Sequence, residues 1–109
     1  MSHSKWLLGI AVLTVSFAAQ SHRYACPAFI KVGHSRYPFD TLRVFDSPPQ
    51  DLGELIGVDT RYGAVWDLSE NDDPYIICGY KGTKKTITVH APGTLVCKVI
   101  NTPTAGYCE

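Results

Sequence analysis

Apolar and polar residues alternate most cleanly over residues 86–90, where Ile87 and Val89 face one way and Thr86, Thr88 and His90 the other. A period of two is the mark of a half-buried strand. The stretches AVWDL (64–68), YIICGY (75–80), KTITVH (85–90) and TLVCKVI (94–100) are rich in β-branched and aromatic side chains. The turn clusters SENDDP, KGTK and APG bound them. TLVCKVI is apolar on both faces except at Lys98, which suits a central strand. Nearer the start, AFIKV (28–32) reads as a strand and GHSRYPFD (33–40) as a loop. TLRVFD (41–46) then reads as a strand with Leu42 and Val44 opposite Arg43 and Phe45.

Residues 47–57 carry helical signals. Ser47 precedes Pro48, which the first helical position tolerates. Asp51 and Glu54 have capping-box spacing. Gly53 and Gly57 limit any helix to one or two turns. VDTRYG (58–63) reads as a connector, and the tail NTPTAGYCE as a loop tied down by its cysteine. Together the pattern predicts a mainly β fold of five or six strands. It would be a small antiparallel sheet or a two-layer β domain with one short helix or helical turn. The alternative is α+β, with 47–57 a true helix on one sheet face.

The N-terminus changes the setting. Lys5 gives a positive start, and Trp6 to Ala19 is a run of 14 apolar and small residues. That run is shorter than the ~20 residues a membrane-spanning helix needs. Ser16/Ala18 and Ala19/Ser21 both offer the small-residue spacing of a signal-peptidase site. Residues 1–21 therefore read as a secretory signal peptide, and 22–109 as one domain. The expected location is periplasmic or secreted, with no membrane insertion after signal removal. A lipobox at Cys26 fails on Arg23 and Tyr24.

Without Lys5, nine Lys and Arg face ten Asp and Glu, a net charge of −1. Bulk attraction to nucleic acid or anionic lipid is not expected. Four cysteines behind a signal peptide, Cys26, Cys78, Cys97 and Cys108, read as two disulfides. Their separations of 52, 19 and 11 do not resemble metal-ligand pairs. No metal or cofactor is expected. Joining Cys78 to Cys97 and Cys26 to Cys108 is the favoured connectivity, because it ties the chain ends. It requires residues 94–100 to leave the meander and cross to a second layer, since alternate strands of a flat sheet lie about 9–10 Å apart. Otherwise Cys26–Cys78 with Cys97–Cys108 is the better choice.

The segments ACPAFIKV, LRVFDSPPQDLGELIGVD and VWDLSENDDPYIICGYKGTKKTITVHAPGTLVC resemble a family of small secreted proteins of Gram-negative bacteria. The likeness rests on Cys26-Pro27, Val44 to Pro49, Leu52 to Leu55 and Trp66, then on Cys78, Tyr80, Gly82, Thr83 and Cys97. Gly79 departs from the basic residue of that pattern, and the Cys108 tail has no clear counterpart. The resemblance implies a periplasmic location, a compact disulfide-containing fold and no agreed activity. Some such proteins sit among secretion and toxin genes, which suggests an immunity or inhibitor role.

Catalytic chemistry finds little support in the residues. His22, His34 and His90 lie at the new terminus, in a polar loop and at a strand end, and no G-x-S-x-G elbow is present. Asp72-Asp73 before Pro74 read as turn residues. Lys81, Lys84 and Lys85 read as a solvated hairpin tip or a protein-binding loop. Trp66 suits the core, while Tyr62 beside Arg61 suits the surface, where Tyr and Arg anchor interfaces. The expectation is a non-enzymatic protein that binds another protein, in its sharper form an inhibitor or immunity protein against a cell-wall hydrolase or toxin. Loop 69–74 or 81–85 would enter the target's cleft. Candidate partner contacts are Arg61, Tyr62, Asp72, Asp73, Lys81, Lys84 and Lys85. The alternatives are a structural subunit of an envelope or secretion assembly, a small ligand-binding protein, or an enzyme.

Overall fold

A computed structural model describes residues 23–102 and 104–109. The expected signal peptide and His22 lie outside these residues. Among the described residues ten strands form two antiparallel sheets: β1 (Tyr24–Ala25), β2 (Phe29–Val32), β3 (Ser35–Phe45), β4 (Glu54–Leu55), β5 (Val58–Thr60), β6 (Gly63–Asp67), β7 (Tyr75–Tyr80), β8 (Thr86–His90), β9 (Val96–Asn101) and β10 (Thr104–Cys108). The first sheet runs β1-β10-β9-β6-β5. The second runs β2-β3-β7-β8, with β4 added to β3 beside β2. The fold is mainly β and antiparallel, as the alternation predicts. Its only helical element among the described residues is a 3-10 turn at Pro49–Asp51. The α+β alternative is thereby excluded: Pro48 caps that turn without a side-chain bond, and the Ser47 hydroxyl donates to Asp46 instead.

Inward positions of both sheets meet in one core. Phe39, Leu42 and Val44 from β3 join Ile76, Cys78 and Tyr80 from β7, and they meet Trp66, Cys97 and Cys108 from the first sheet. Strand periodicity makes this possible, since Ile76, Cys78 and Tyr80 lie two residues apart on one face of β7. Four links carry the chain between sheets: 26–28, 56–57, 68–74 and 91–95.

Three segments read as loops are strands. The first is 35–40, the start of β3. Gly33, at φ 63, closes a two-residue turn with His34, so the strand begins at once. Asp40 is an extra residue in the β3–β7 ladder, between Phe39↔Tyr80 and Thr41↔Gly79. That bulge shifts the phase of alternation. Pro38 sits beside it, at the end of the pairing with β7. Its carbonyl accepts from Lys81 N–H at 2.9 Å, but its donorless nitrogen can return no bond to Lys81, just past the end of β7.

The second is 58–60, an edge strand joined to β6 by an Arg61-Tyr62 turn. The third is the tail. β10 lies between β1 and β9, inside the sheet. Its inward residues are Gly106 and Cys108, which carry little hydrophobic signal. Gly106 must be small, because a Cβ there would lie 2.6 Å from Phe39 Cζ.

The disulfides are Cys26–Cys78 and Cys97–Cys108, with Cα–Cα distances of 5.7 and 4.0 Å. The favoured connectivity of the sequence is corrected. Residues 96–101 do cross to the other sheet, yet the crossing sets Cys97 directly opposite Cys108 rather than near Cys78. Cys26, whose N–H donates to Gly106 O at 2.9 Å, reaches from the edge of the first sheet to β7 in the second.

Tyr80 completes this corner. Its hydroxyl donates to Pro27 O at 2.8 Å, and burial pushes its phenol above the ordinary value of 10.0. A raised folded value means stability is fully present below about pH 10 and is lost as pH climbs toward the folded value. Tyr80→Phe should cost about 1 kcal/mol at pH 7 from the lost hydrogen bond. Above pH 10 it should lose less stability than the wild type. Urea titrations at pH 7 and about pH 10.5 check both signs.

Candidate functional site

The feature most suited to recognition is the stretch from Leu52 to Tyr62. Leu52 is 85% exposed, Ile56 94%, Val58 67% and Tyr62 68%. Only two other large apolar residues among those described are exposed, Phe29 at 41% and Leu95 at 50%. Burial is the ordinary fate of such side chains, so four of the six in one stretch set that stretch apart from the rest of the described chain.

Local structure holds them out. Leu52 ends the 3-10 turn at φ 61, a left-handed backbone that leucine rarely adopts. It is the sole non-glycine residue at positive φ among those described. Beyond it, Leu55 O accepts from Trp66 Nε1 at 3.3 Å. Gly57 lies flat on the Trp66 indole, where a Cβ would come within 2.6 Å of Cε2. With Gly57 pinned inward, Ile56 projects to solvent. β5 follows as the outer strand of the first sheet, so its outward edge has no strand partner among the described residues. Arg61 lies over the Tyr62 ring at 5.5 Å. Asn101 N–H donates to Tyr62 O at 2.9 Å and fixes the turn. Nearby, Arg43 grips Glu54 through two bonds of 3.1 and 2.7 Å. That hydrogen bonding holds the Glu54 carboxyl below the usual carboxylate range.

Strain at an exposed leucine gives a direct test. Leu52→Asn should raise stability by about 1 kcal/mol, because asparagine tolerates the left-handed region and little packing is lost. Thermal unfolding should shift up by roughly 4–8 °C. Partner binding should weaken in the same variant.

The other expected contact residues fall on separate surfaces. Asp72 and Asp73 precede β7, while Lys81, Lys84 and Lys85 follow it, so the strand's length keeps them apart. Asp72 Oδ2 accepts from Ser69 N–H at 2.8 Å, a turn role. Asp73 instead pairs with His90 Nε2 at 2.6 Å, and His90 stacks on Tyr75 at 4.2 Å. The 17-residue separation hid that pair from sequence reading. Among the described residues no hydroxyl or thiol is hydrogen-bonded to His90, and the four cysteines are in disulfides. A shallow cavity of about 250 Å³ beside this end is lined by Glu70, Asp72, Gly93, Thr94 and Leu95. Among the described residues, no group of three or more His, Cys, Asp or Glu is placed to hold a metal.

No protein-family model, curated protein or solved structure matches this chain. The site is therefore read from its own chemistry. Arg61 and Tyr62 were legible because their residue types favour interfaces. Leu52, Ile56 and Val58 were not, because an apolar residue in a sequence reads first as core. No helix among the described residues is long and apolar enough to cross a membrane. Two disulfides fit an extracytoplasmic protein.

Proposed function

We propose that this is a periplasmic, non-enzymatic binding protein whose working surface is the 52–62 face and whose partner is another protein. The observation that carries this reading is the exposure of Leu52, Ile56, Val58 and Tyr62 in one stretch, beside Arg61. Aromatic and arginine anchors set among apolar contacts are the usual composition of a protein interface. The outer edge of β5 adds backbone donors and acceptors to the same surface.

The partner class is a cell-wall-degrading hydrolase or toxin, which the protein blocks as an inhibitor or immunity protein. Small size, the signal-like N-terminus and the resemblance to small exported proteins support that sharper form. The inserting element moves from loops 69–74 and 81–85 to 52–62, because the exposed apolar residues gather there. Affinity capture with mature, oxidised protein from periplasmic extract should recover a hydrolase, and expression should protect cells against it. Recovery of nothing specific, together with no protection, would sink this reading.

A further inference from the structure

Charge is segregated along the chain. Nine of its ten carboxylates lie between Asp40 and Asp73, and the tenth is Glu109. Residues 23–39 and 74–108 carry none. The β2–β3 and β7–β8 hairpins come from those two stretches and meet at one end of the second sheet. Lys81 N–H donates to Pro38 O, and Gly82 sits against the Tyr37 ring. Lys31, Arg36, Lys81, Lys84 and Lys85 all belong to these hairpins. Arg36 lies over the Phe29 ring at 3.6 Å. Among the described residues neither Lys31 nor Lys85 is in an ion pair.

Between the hairpins runs an open cleft of about 470 Å³. Ile30 to Gly33 line one wall and Lys85 to Ile87 the other. These are consecutive residues. A cleft on the face of a strand touches alternate residues, whereas one running along an edge touches each in turn. Both strands have such an edge: among the described residues β2 pairs only with β3, and β8 only with β7. The cleft thus combines strand-edge backbone, apolar Ile30, Val32 and Ile87, and two lysines outside any ion pair among the described residues.

We propose that this cleft binds an extended acidic peptide as an added strand. Its backbone pairs with the free edge of β2 or β8, its carboxylates meet Lys31 and Lys85, and its alternate apolar residues meet Ile30, Val32 and Ile87. Backbone pairing selects a peptide over a polynucleotide, which would want stacking platforms that the lining lacks. This site goes beyond the 52–62 reading and is independent of it, since neither Ile56 nor Tyr62 lines the cleft.

The probe is a fluorescein-labelled peptide alternating valine and glutamate, read by anisotropy on the mature, oxidised protein. Saturable binding is expected, weakened about tenfold or more by Lys31→Glu with Lys85→Glu and by high salt. Both lysines are exposed, and the milder Lys31→Gln with Lys85→Gln should give a smaller loss in the same direction. A proline at the centre of the peptide should abolish binding, because it removes a backbone donor. Absence of binding, undiminished binding by both double variants, or equal binding of the proline peptide would overturn the proposal. Tighter binding of a single-stranded oligonucleotide of equal charge would do so too. None of these outcomes bears on capture through Ile56 and Tyr62.

Discussion

Replacing Cys26 and Cys78 together with alanine should leave the protein largely unfolded near about 37 °C. The bond closes a loop with a sequence separation of 52. In the chain-entropy description a loop of that size contributes about 4 kcal/mol. A domain spanning residues 23–109 has a total stability of roughly 4–13 kcal/mol, so this one bond is a large share. It also has no substitute. Cys26 ties the edge of the first sheet to β7 in the centre of the second, and Cys78 is fully buried. The Cys97–Cys108 bond differs. It closes a separation of 11 between strands already paired along their length, and its loss should cost about 3 kcal/mol. Urea unfolding of the two double variants checks the order. A larger loss from Cys97 and Cys108 would mean that the inter-sheet tie is not what holds the layers.

Gly63→Ala should be strongly destabilising although it adds only a methyl group. Gly63 begins β6 at φ 155, a region that side chains avoid, at a cost of about 1–3 kcal/mol. Its missing side chain also leaves room for β9: a Cβ would lie 1.8 Å from Val99 O. Alanine must therefore push β6 from β9 where Gly63 pairs with Ile100. The combined loss should reach about 3 kcal/mol or more. Amide exchange should show it first in β5 and β6, which depend on that ladder. The Arg61-Tyr62 turn would shift with them, so partner binding should fall in any fraction that stays folded. An alanine variant with unchanged protection at Val58–Thr60 would contradict this.

Legibility in the sequence followed how strongly each strand announces its own burial. β7 was readable to its ends, because YIICGY is β-branched and aromatic and lies between polar turn clusters. β8 and β9 were nearly as clear. β10 was not, since a central strand whose inward positions are glycine and cysteine has no apolar alternation to display. β3 was halved by the bulge at Asp40, which breaks the period at the residue where a reader would extend it. β5 is exposed at all three residues, so nothing in it marks an inside.

The disulfides show the same limit from another side. Their residues were identifiable from composition and spacing. The partners were not, because connectivity depends on which strands become neighbours. A Cys78–Cys97 bond would require 94–100 to cross between layers, but the actual destination of that crossing, beside the tail, is hidden while the tail resembles a loop. At the candidate site the polar members were found by type, and the apolar ones only by their exposure.

The central claim is that the 52–62 face meets a protein partner. A photo-crosslinking amino acid placed at Ile56, 94% exposed, tests it most directly in intact cells. The same group at Ser69, exposed and outside the 52–62 stretch, serves as the control. One discrete adduct from position 56, lost when Tyr62 is changed to alanine and absent from position 69, is the expected result. No adduct from position 56, or the same adducts from both positions, would contradict the claim.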